Sequence, residues 1–104
     1  PVSLTPAAVA AVARGRRRLD EVLAAGKPVY GTTTGFGPFV KYAAGDGGGV
    51  GHGLGLLHHL GAGVGAPSPA PWVRAAMLVR AHTLAKGHSA VSPAAIDAYV
   101  RLLN

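Results

Sequence analysis

Residues 29–37 read VYGTTTGFG, three threonines enclosed by glycines directly after a tyrosine. Threonine is β-branched and favours strands, but Gly35 and Gly37 interrupt any strand that would include this stretch. Residues 45–49 form a second stretch that is almost entirely glycine. We therefore predict one long loop over about residues 26–50. A loop of this length inside a compact domain is usually a binding loop or a lid.

Helical patterns lie on both sides of this loop. Before it, Thr5 and Pro6 have the order of a helix start, a capping hydroxyl followed by a proline. Valines and leucines then recur at helical spacing until Gly26 and Pro28, which are typical of a helix end. The sequence thus predicts an amphipathic helix over residues 6–25.

Three further helices are predicted after the loop. Residues 52–62 are apolar and contain histidines, Pro71 opens a helix that runs to about Lys86, and Ser92 with Pro93 begins the last one. The middle helix of these three has almost no polar face, which is typical of a helix buried in a large core. A chain of 104 residues can hardly enclose such a helix, so we expect it to contact something else.

The composition narrows the class of protein. Hydrophobic residues make up 49% of the chain and charged residues 13%, a balance that argues against disorder. The chain has no cysteine, which excludes disulfides and thiolate metal sites. No apolar run reaches the ~18 residues of a membrane span, and no signal peptide pattern is present. We expect a mainly α, cytoplasmic protein with one domain over residues 1–104 and no membrane contact.

The net charge of +6 raises the possibility of nucleic-acid binding. Four arginines lie close together, at Arg14, Arg16, Arg17 and Arg18. No aromatic residue interleaves with them, so stacking on bases has little support. A solvated helix face is the simpler interpretation. A basic nucleic-acid-binding module remains as an alternative from a different functional class.

Glycine clusters and histidines are the next candidate binding features. The clusters at residues 51–55 and 61–65 neither follow a predicted strand nor end in Gly-Lys-Ser/Thr, which argues against a nucleotide loop. His58 and His59 are adjacent, and adjacent helical residues point in different directions. Adding His52 and the remaining histidines gives no convincing zinc spacing, so no metal site is predicted.

Tyr30 is the candidate for catalysis because its phenol lies in the glycine-rich loop. A phenol can act as a general base where its surroundings favour the deprotonated form. A mobile loop can also close over a substrate and exclude water. From the residues alone, an ordinary turn tyrosine is the simpler interpretation.

Residues 29–37 resemble the signature loop of the histidine, phenylalanine and tyrosine ammonia-lyases and the related aminomutases, Val-Tyr-Gly-x-x-Thr-Gly-Phe-Gly. Three further features follow in the order of that family, residues 56–65 (LLHHLGAGVG), 73–77 (VRAAM) and 84–89 (LAKGHS). The resemblance spans about residues 5–104. It implies the helical N-terminal segment of the ammonia-lyase fold, with the predicted loop as its active-site lid.

The chemistry of this family gives the loop residues their expected roles. Its members use a methylidene-imidazolone electrophile, made from an internal Ala-Ser-Gly, to eliminate ammonia and leave an α,β-unsaturated acid. Aminomutases return the amine to the β-carbon. The resemblance implies that Tyr30 removes the β-proton of an aromatic amino acid. It places Gly31, Gly35 and Phe36 in the lid loop.

The resemblance also implies which residues contact the substrate. His59, Leu60 and Gly37 are expected at the binding site, and the His-Leu pair is similar to that of members that use tyrosine. An imidazole can hydrogen-bond a substrate phenol, and a site built for that bond disfavours the analogue without it. Gly53 and Gly55 stand where the family often has Gln and Asn.

The sequence contains no Ala-Ser-Gly, so this chain cannot form the electrophile itself. We therefore expect a complementary lyase chain or segment that supplies it, within a homo- or hetero-oligomer. On this hypothesis the chain is an incomplete ammonia-lyase or aminomutase that is inactive alone. A catalytically silent interaction subunit of the same ancestry remains as an alternative.

Overall fold

The computed structural model of the chain describes residues 1–44 and 50–104. These ranges contain four α-helices and one 3₁₀-helix, and no strand. The helices are α1 (Pro6–Ala24), the 3₁₀-helix (Gly37–Lys41), α2 (Val50–Leu60), α3 (Ala70–Ala85) and α4 (Pro93–Leu103). This architecture confirms the predicted mainly α fold class. None of the helices in the described ranges is long and apolar enough to cross a membrane.

The two helices with a capping hydroxyl begin where the sequence predicts. Oγ1 of Thr5 accepts a hydrogen bond of 3.2 Å from the N–H of Ala8 at the start of α1. Oγ of Ser92 accepts one of 3.1 Å from the N–H of Ala95 at the start of α4. Each bond satisfies one of the N–H groups that the first turn of a helix leaves without a partner.

The boundaries of α2 differ from the prediction. This helix begins at Val50 and ends at Leu60, two residues earlier at both ends than predicted. Glycine is less favourable than alanine in a helix by roughly 1 kcal/mol. The glycines of α2 therefore weaken the helical pattern, and the sequence does not predict its first turn. The predicted loop therefore ends before residue 50. Its residues 45–49 lie outside the described part of the chain.

The described residues form two compact units. The first unit comprises Pro1–Glu21 and Pro67–Asn104, and the second comprises Val22–Ala66. A core of five buried side chains holds the first unit together, contributed by α1, α3 and α4: Val12, Ala81, Ile96, Val100 and Leu103. The burial of these apolar side chains is the main stabilising contribution to this unit.

Two glycines of the first unit bring the backbone of α1 against the turn after α3. A Cβ atom added to Gly15 would overlap the carbonyl oxygen of Gly87. Gly87 has a φ of 79°, which side chains rarely adopt, and a Cβ there would overlap the carbonyl oxygen of Ala11. The approach of these two backbone segments thus depends on glycine at both positions.

Most of α3 is uncovered in the described structure. Ala81 is the only buried residue of this helix among those described. Trp72 is 72% exposed and Val79 is 66% exposed. Val73 and Leu78 are exposed as well. These side chains leave large apolar surfaces facing outward, as the composition of this helix predicts for so short a chain.

Candidate functional site

A tight turn presents Tyr30. The carbonyl oxygen of Val29 accepts hydrogen bonds of 3.0 Å from the N–H groups of both Thr32 and Thr33. Oγ1 of Thr33 in turn accepts a bond of 2.9 Å from the N–H of Val29. These bonds close the chain into a loop, so that the tyrosine side chain projects from a structured turn.

The base of this turn is also held by hydrogen bonds. Thr34 and Ala43 form an antiparallel bridge, and the N–H of Gly35 donates to the carbonyl oxygen of Tyr42 at 3.1 Å. Thr34 is buried, and its Oγ1 accepts a bond of 3.2 Å from the N–H of Gly31. The part of the predicted lid that the structure describes is therefore ordered by its own backbone and threonine side chains. Movement of this segment as a lid stays a prediction.

The phenol of Tyr30 folds back onto the same segment. The N–H of Gly37 donates a hydrogen bond of 3.0 Å to Oη of Tyr30. The ring of Phe36 meets the Tyr30 ring edge to face, with ring centres 5.9 Å apart. A Cβ at Gly31 would lie 2.5 Å from Cε1 of Phe36. Three other residues that the resemblance assigns to the site, Gly31, Phe36 and Gly37, thus lie close to Tyr30.

A cavity of about 650 Å³ lies beside this cluster within the second unit. One wall comes from residues 35–39. The other comes from α2, where three of the lining residues lie three, four and seven positions after His52 and so share one helix face with it. The α2 residues that line the cavity are Gly51, His52, Gly55, Leu56 and His59. The cavity is therefore largely apolar, with imidazole groups on its helical wall.

His59 and Leu60, the His-Leu pair expected at the binding site, do not both line the cavity. His59 lines the cavity and Leu60 does not, although both residues are exposed. Successive residues of an α-helix point in different directions, which separates the two side chains. Tyr30 is absent from the cavity wall but reaches it through its bond to Gly37, which lines the cavity.

His52 lines the cavity, although the sequence analysis assigned it no role in the site. Its ring stacks on Phe36 with ring centres 5.1 Å apart and planes inclined by 1°. Its Nε2 is buried and has no hydrogen-bond partner among residues 1–44 and 50–104. The seven-residue spacing between His52 and His59 was the signal, since it places both on one helix face.

The metal-ligating side chains and the clustered arginines are the remaining candidate binding features. No group of three or more metal-ligating side chains comes together in the part of the chain that the structure describes. Arg16 pairs with Asp20 at 2.7 Å, and Arg18 pairs with Glu21 at 3.1 Å. Two of the four clustered arginines are therefore paired with acidic residues of their own helix, as on a solvated helix face.

Comparison with known proteins identifies the family. A family model described as aromatic amino acid lyase matches residues 1–104. The chain belongs to the aromatic amino acid lyase family. The match confirms the resemblance seen in the loop and in the three motifs that follow it.

Individual relatives of this lyase chain agree with that assignment. The chain is 43% identical to histidine ammonia-lyase of Geobacillus sp. over 96 residues, which cover 90% of the chain and 18% of that protein. It is 38% identical to tyrosine ammonia-lyase of Cupriavidus metallidurans, covering 96% of the chain and 22% of that protein. A probable histidine ammonia-lyase of Thermoplasma volcanium is 36% identical, covering 100% and 21%.

These relatives are named after two different amino acids, histidine and tyrosine. The lyase chain spans about a fifth of the length of the curated relatives it matches. No solved structure matches the chain.

Proposed function

We propose that this chain supplies the catalytic-tyrosine segment of an aromatic amino acid ammonia-lyase. The observation that carries this proposal is the placement of Tyr30. Its Oη accepts a hydrogen bond from Gly37, on the wall of a cavity with room for an amino acid. The preferred substrate on this proposal is L-tyrosine or a similar aromatic amino acid.

In the proposed reaction Tyr30 acts as a general base. Its deprotonated phenol takes the β-proton of the substrate, and the C–H electron pair becomes the new double bond. The protonated amine leaves as ammonia and takes the C–N electron pair with it. The product is an α,β-unsaturated acid. The Gly37 N–H holds the oxygen in place, and Phe36 supports the ring from the side. An aminomutase would share this proton removal and then return the amine to the β-carbon.

This chain cannot form the methylidene-imidazolone group by itself, because its sequence has no Ala-Ser-Gly from which the group is made. We therefore propose that a complementary lyase segment brings it. When present, the group supplies an electrophile that makes the substrate amine a better leaving group. The residues of this chain bind the ring, hold the base and accept the proton.

The exposed apolar face of α3 supports the need for that complementary segment. Trp72 and Val79 leave large apolar surfaces uncovered, and such surfaces usually mark a contact with another protein segment. We propose that the assembled enzyme is an oligomer in which this face is covered.

The first test compares the isolated chain with the assembled enzyme, meaning this chain combined with a lyase segment that carries Ala-Ser-Gly. The isolated chain should form no ultraviolet-absorbing product from tyrosine, phenylalanine or histidine, because the electrophile is missing. The assembled enzyme should form it from at least one of the three. Assembly is checked by co-elution on a sizing column. Turnover by the isolated chain would disprove the need for a partner, and an assembled but inactive complex would disprove the lyase proposal.

A second test concerns the ring preference. His59→Phe replaces an imidazole on the cavity wall by an apolar ring. If His59 bonds the substrate phenol, the tyrosine-to-phenylalanine ratio of kcat/KM should fall about 10-fold, as for a lost hydrogen bond of ~1.4 kcal/mol. His58→Phe is the matched control, because His58 is exposed on the same helix and does not line the cavity. An unchanged ratio in His59→Phe would rule out a hydrogen bond between His59 and the substrate phenol.

A further inference from the structure

We infer that His52 is a positioning residue for Tyr30 and acts through Phe36. This inference rests on the proposed function, since it concerns the residue that removes the substrate proton. Three aromatic rings lie in series in the second unit. The imidazole of His52 stacks flat on Phe36 at 5.1 Å, and Phe36 meets Tyr30 edge to face at 5.9 Å.

Phe36, the middle ring of the three, packs against the turn that carries Tyr30. Phe36 fills the space in which a side chain at Gly31 would lie, with its Cε1 2.5 Å from a Cβ built there. Gly37, which follows Phe36, donates the hydrogen bond to Oη of Tyr30. A displacement of the Phe36 ring would therefore change both the space beside Gly31 and the position of the Gly37 N–H. Tyr30 would move with them.

Filling space alone does not explain why residue 52 is a histidine. Its Nε2 is buried with no partner among residues 1–44 and 50–104. A buried polar atom without a hydrogen bond costs stability, so an aliphatic side chain would be the more stable filler. A flat ring does what an aliphatic side chain cannot, because it stacks on Phe36 with the two planes parallel. The stacking accounts for an aromatic residue at this position.

One face of α2 carries both the residue that positions Tyr30 and the residue proposed to contact the substrate. His52 and His59 lie seven residues apart on α2 and line the same cavity. On the proposed function His59 contacts the substrate ring, and His52 holds the loop that carries Tyr30. Two turns of α2 thus fix the distance between the bound ring and the base. Such alignment has a large effect on the rate. A mutation far from the reacting atoms that misplaces a catalytic group by ~1 Å can lower the rate by ~10²-fold.

The test uses three variants of the assembled enzyme. His52→Leu keeps an apolar side chain but loses the flat ring, and His52→Phe keeps a flat ring but loses the nitrogens. His58→Leu is the control, since His58 is exposed on the same helix and outside the cavity wall. Each variant is measured with ordinary and β-deuterated substrate. The isotope effect reports on proton removal, which a merely structural role would not change selectively.

His52→Leu should lower kcat by about 10- to 100-fold, because the base is misplaced. Its KM should stay within about twofold of wild type, since substrate binding is retained. The deuterium isotope effect on kcat should rise, because proton removal becomes slower than the other steps. His52→Phe should recover most of kcat, and His58→Leu should match wild type.

Nuclear magnetic resonance of the assembled enzyme, with only this chain isotope-labelled, tests the contact without any turnover. Nuclear Overhauser effects should connect the His52 and Phe36 rings, and their absence would overturn the inference. The inference is also wrong if His52→Leu has wild-type kcat, or if it raises KM and lowers kcat with an unchanged isotope effect. If His52→Leu fails to fold, His52→Phe decides, and a large loss of kcat in that folded variant would overturn it. Normal turnover in Tyr30→Phe would instead disprove the proposed function itself.

Discussion

Tyr30→Phe should reduce the turnover of the assembled enzyme by ~10²-fold or more, the amount that general-base catalysis typically contributes. The substitution removes one oxygen and keeps the ring, so the edge-to-face contact with Phe36 is retained. The N–H of Gly37 loses its acceptor, but Gly37 is exposed and water can take that place. Folding should therefore be unchanged while the β-proton loses its acceptor. The measurement is kcat with the preferred amino acid, together with circular dichroism.

Tyr42→Phe is the matched control for this experiment. Tyr42 belongs to the same loop and is 57% exposed, but it does not line the cavity. Its hydroxyl should be dispensable, so kcat should stay at the wild-type value. Equal losses in both variants would indicate a general disturbance of the loop rather than the loss of a base. Full activity in Tyr30→Phe would contradict the proposed mechanism directly.

The helices could be predicted from the sequence because local contacts determine their ends. The hydroxyls of Thr5 and Ser92 bond N–H groups three residues ahead, so the capping pattern is visible in a few adjacent letters. The position of α2 was predicted less well. Its glycines weaken the helical pattern, and its first turn follows residues 45–49, which are almost all glycine.

The candidate site could be predicted only in part, for a physical reason. The motif around Tyr30 is contiguous, so its resemblance to the family loop is visible in the sequence, and the family comparison confirmed that resemblance. The cavity instead joins residues 35–39 to one face of α2. The spacing of His52 and His59 indicates that they share a helix face, but not that this face meets residues 35–39. The stacking of Phe36 on His52 and the placement of His59 rather than Leu60 on the cavity wall both depend on this orientation. The catalytic and binding roles of these residues stay predictions.

The first unit offers a prediction about stability that does not depend on the enzyme reaction. Glycine-to-alanine changes inside an exposed helix usually stabilise it, by up to about 1 kcal/mol. Gly15→Ala should have the opposite effect in α1, because the new Cβ would overlap the carbonyl oxygen of Gly87. That atom belongs to the backbone and cannot rotate away as a side chain would. Relief of the overlap requires α1 and the turn after α3 to separate.

The expected size of the Gly15→Ala effect follows from overpacking, which typically costs about 1–3 kcal/mol. A loss of this size lowers Tm by about 4–8 °C per kcal/mol in a domain of 60–100 residues. Gly53→Ala is the matched control, since Gly53 is also helical. Apart from its own helix backbone and chain neighbours, no atom of residues 1–44 and 50–104 lies within 4 Å of the position that its Cβ would occupy. It should leave Tm unchanged or raise it. Thermal unfolding by circular dichroism measures both, and amide hydrogen exchange should show faster exchange in α1 of Gly15→Ala alone. A rise in Tm for both variants would show that α1 does not approach Gly87 as closely as the structure places it.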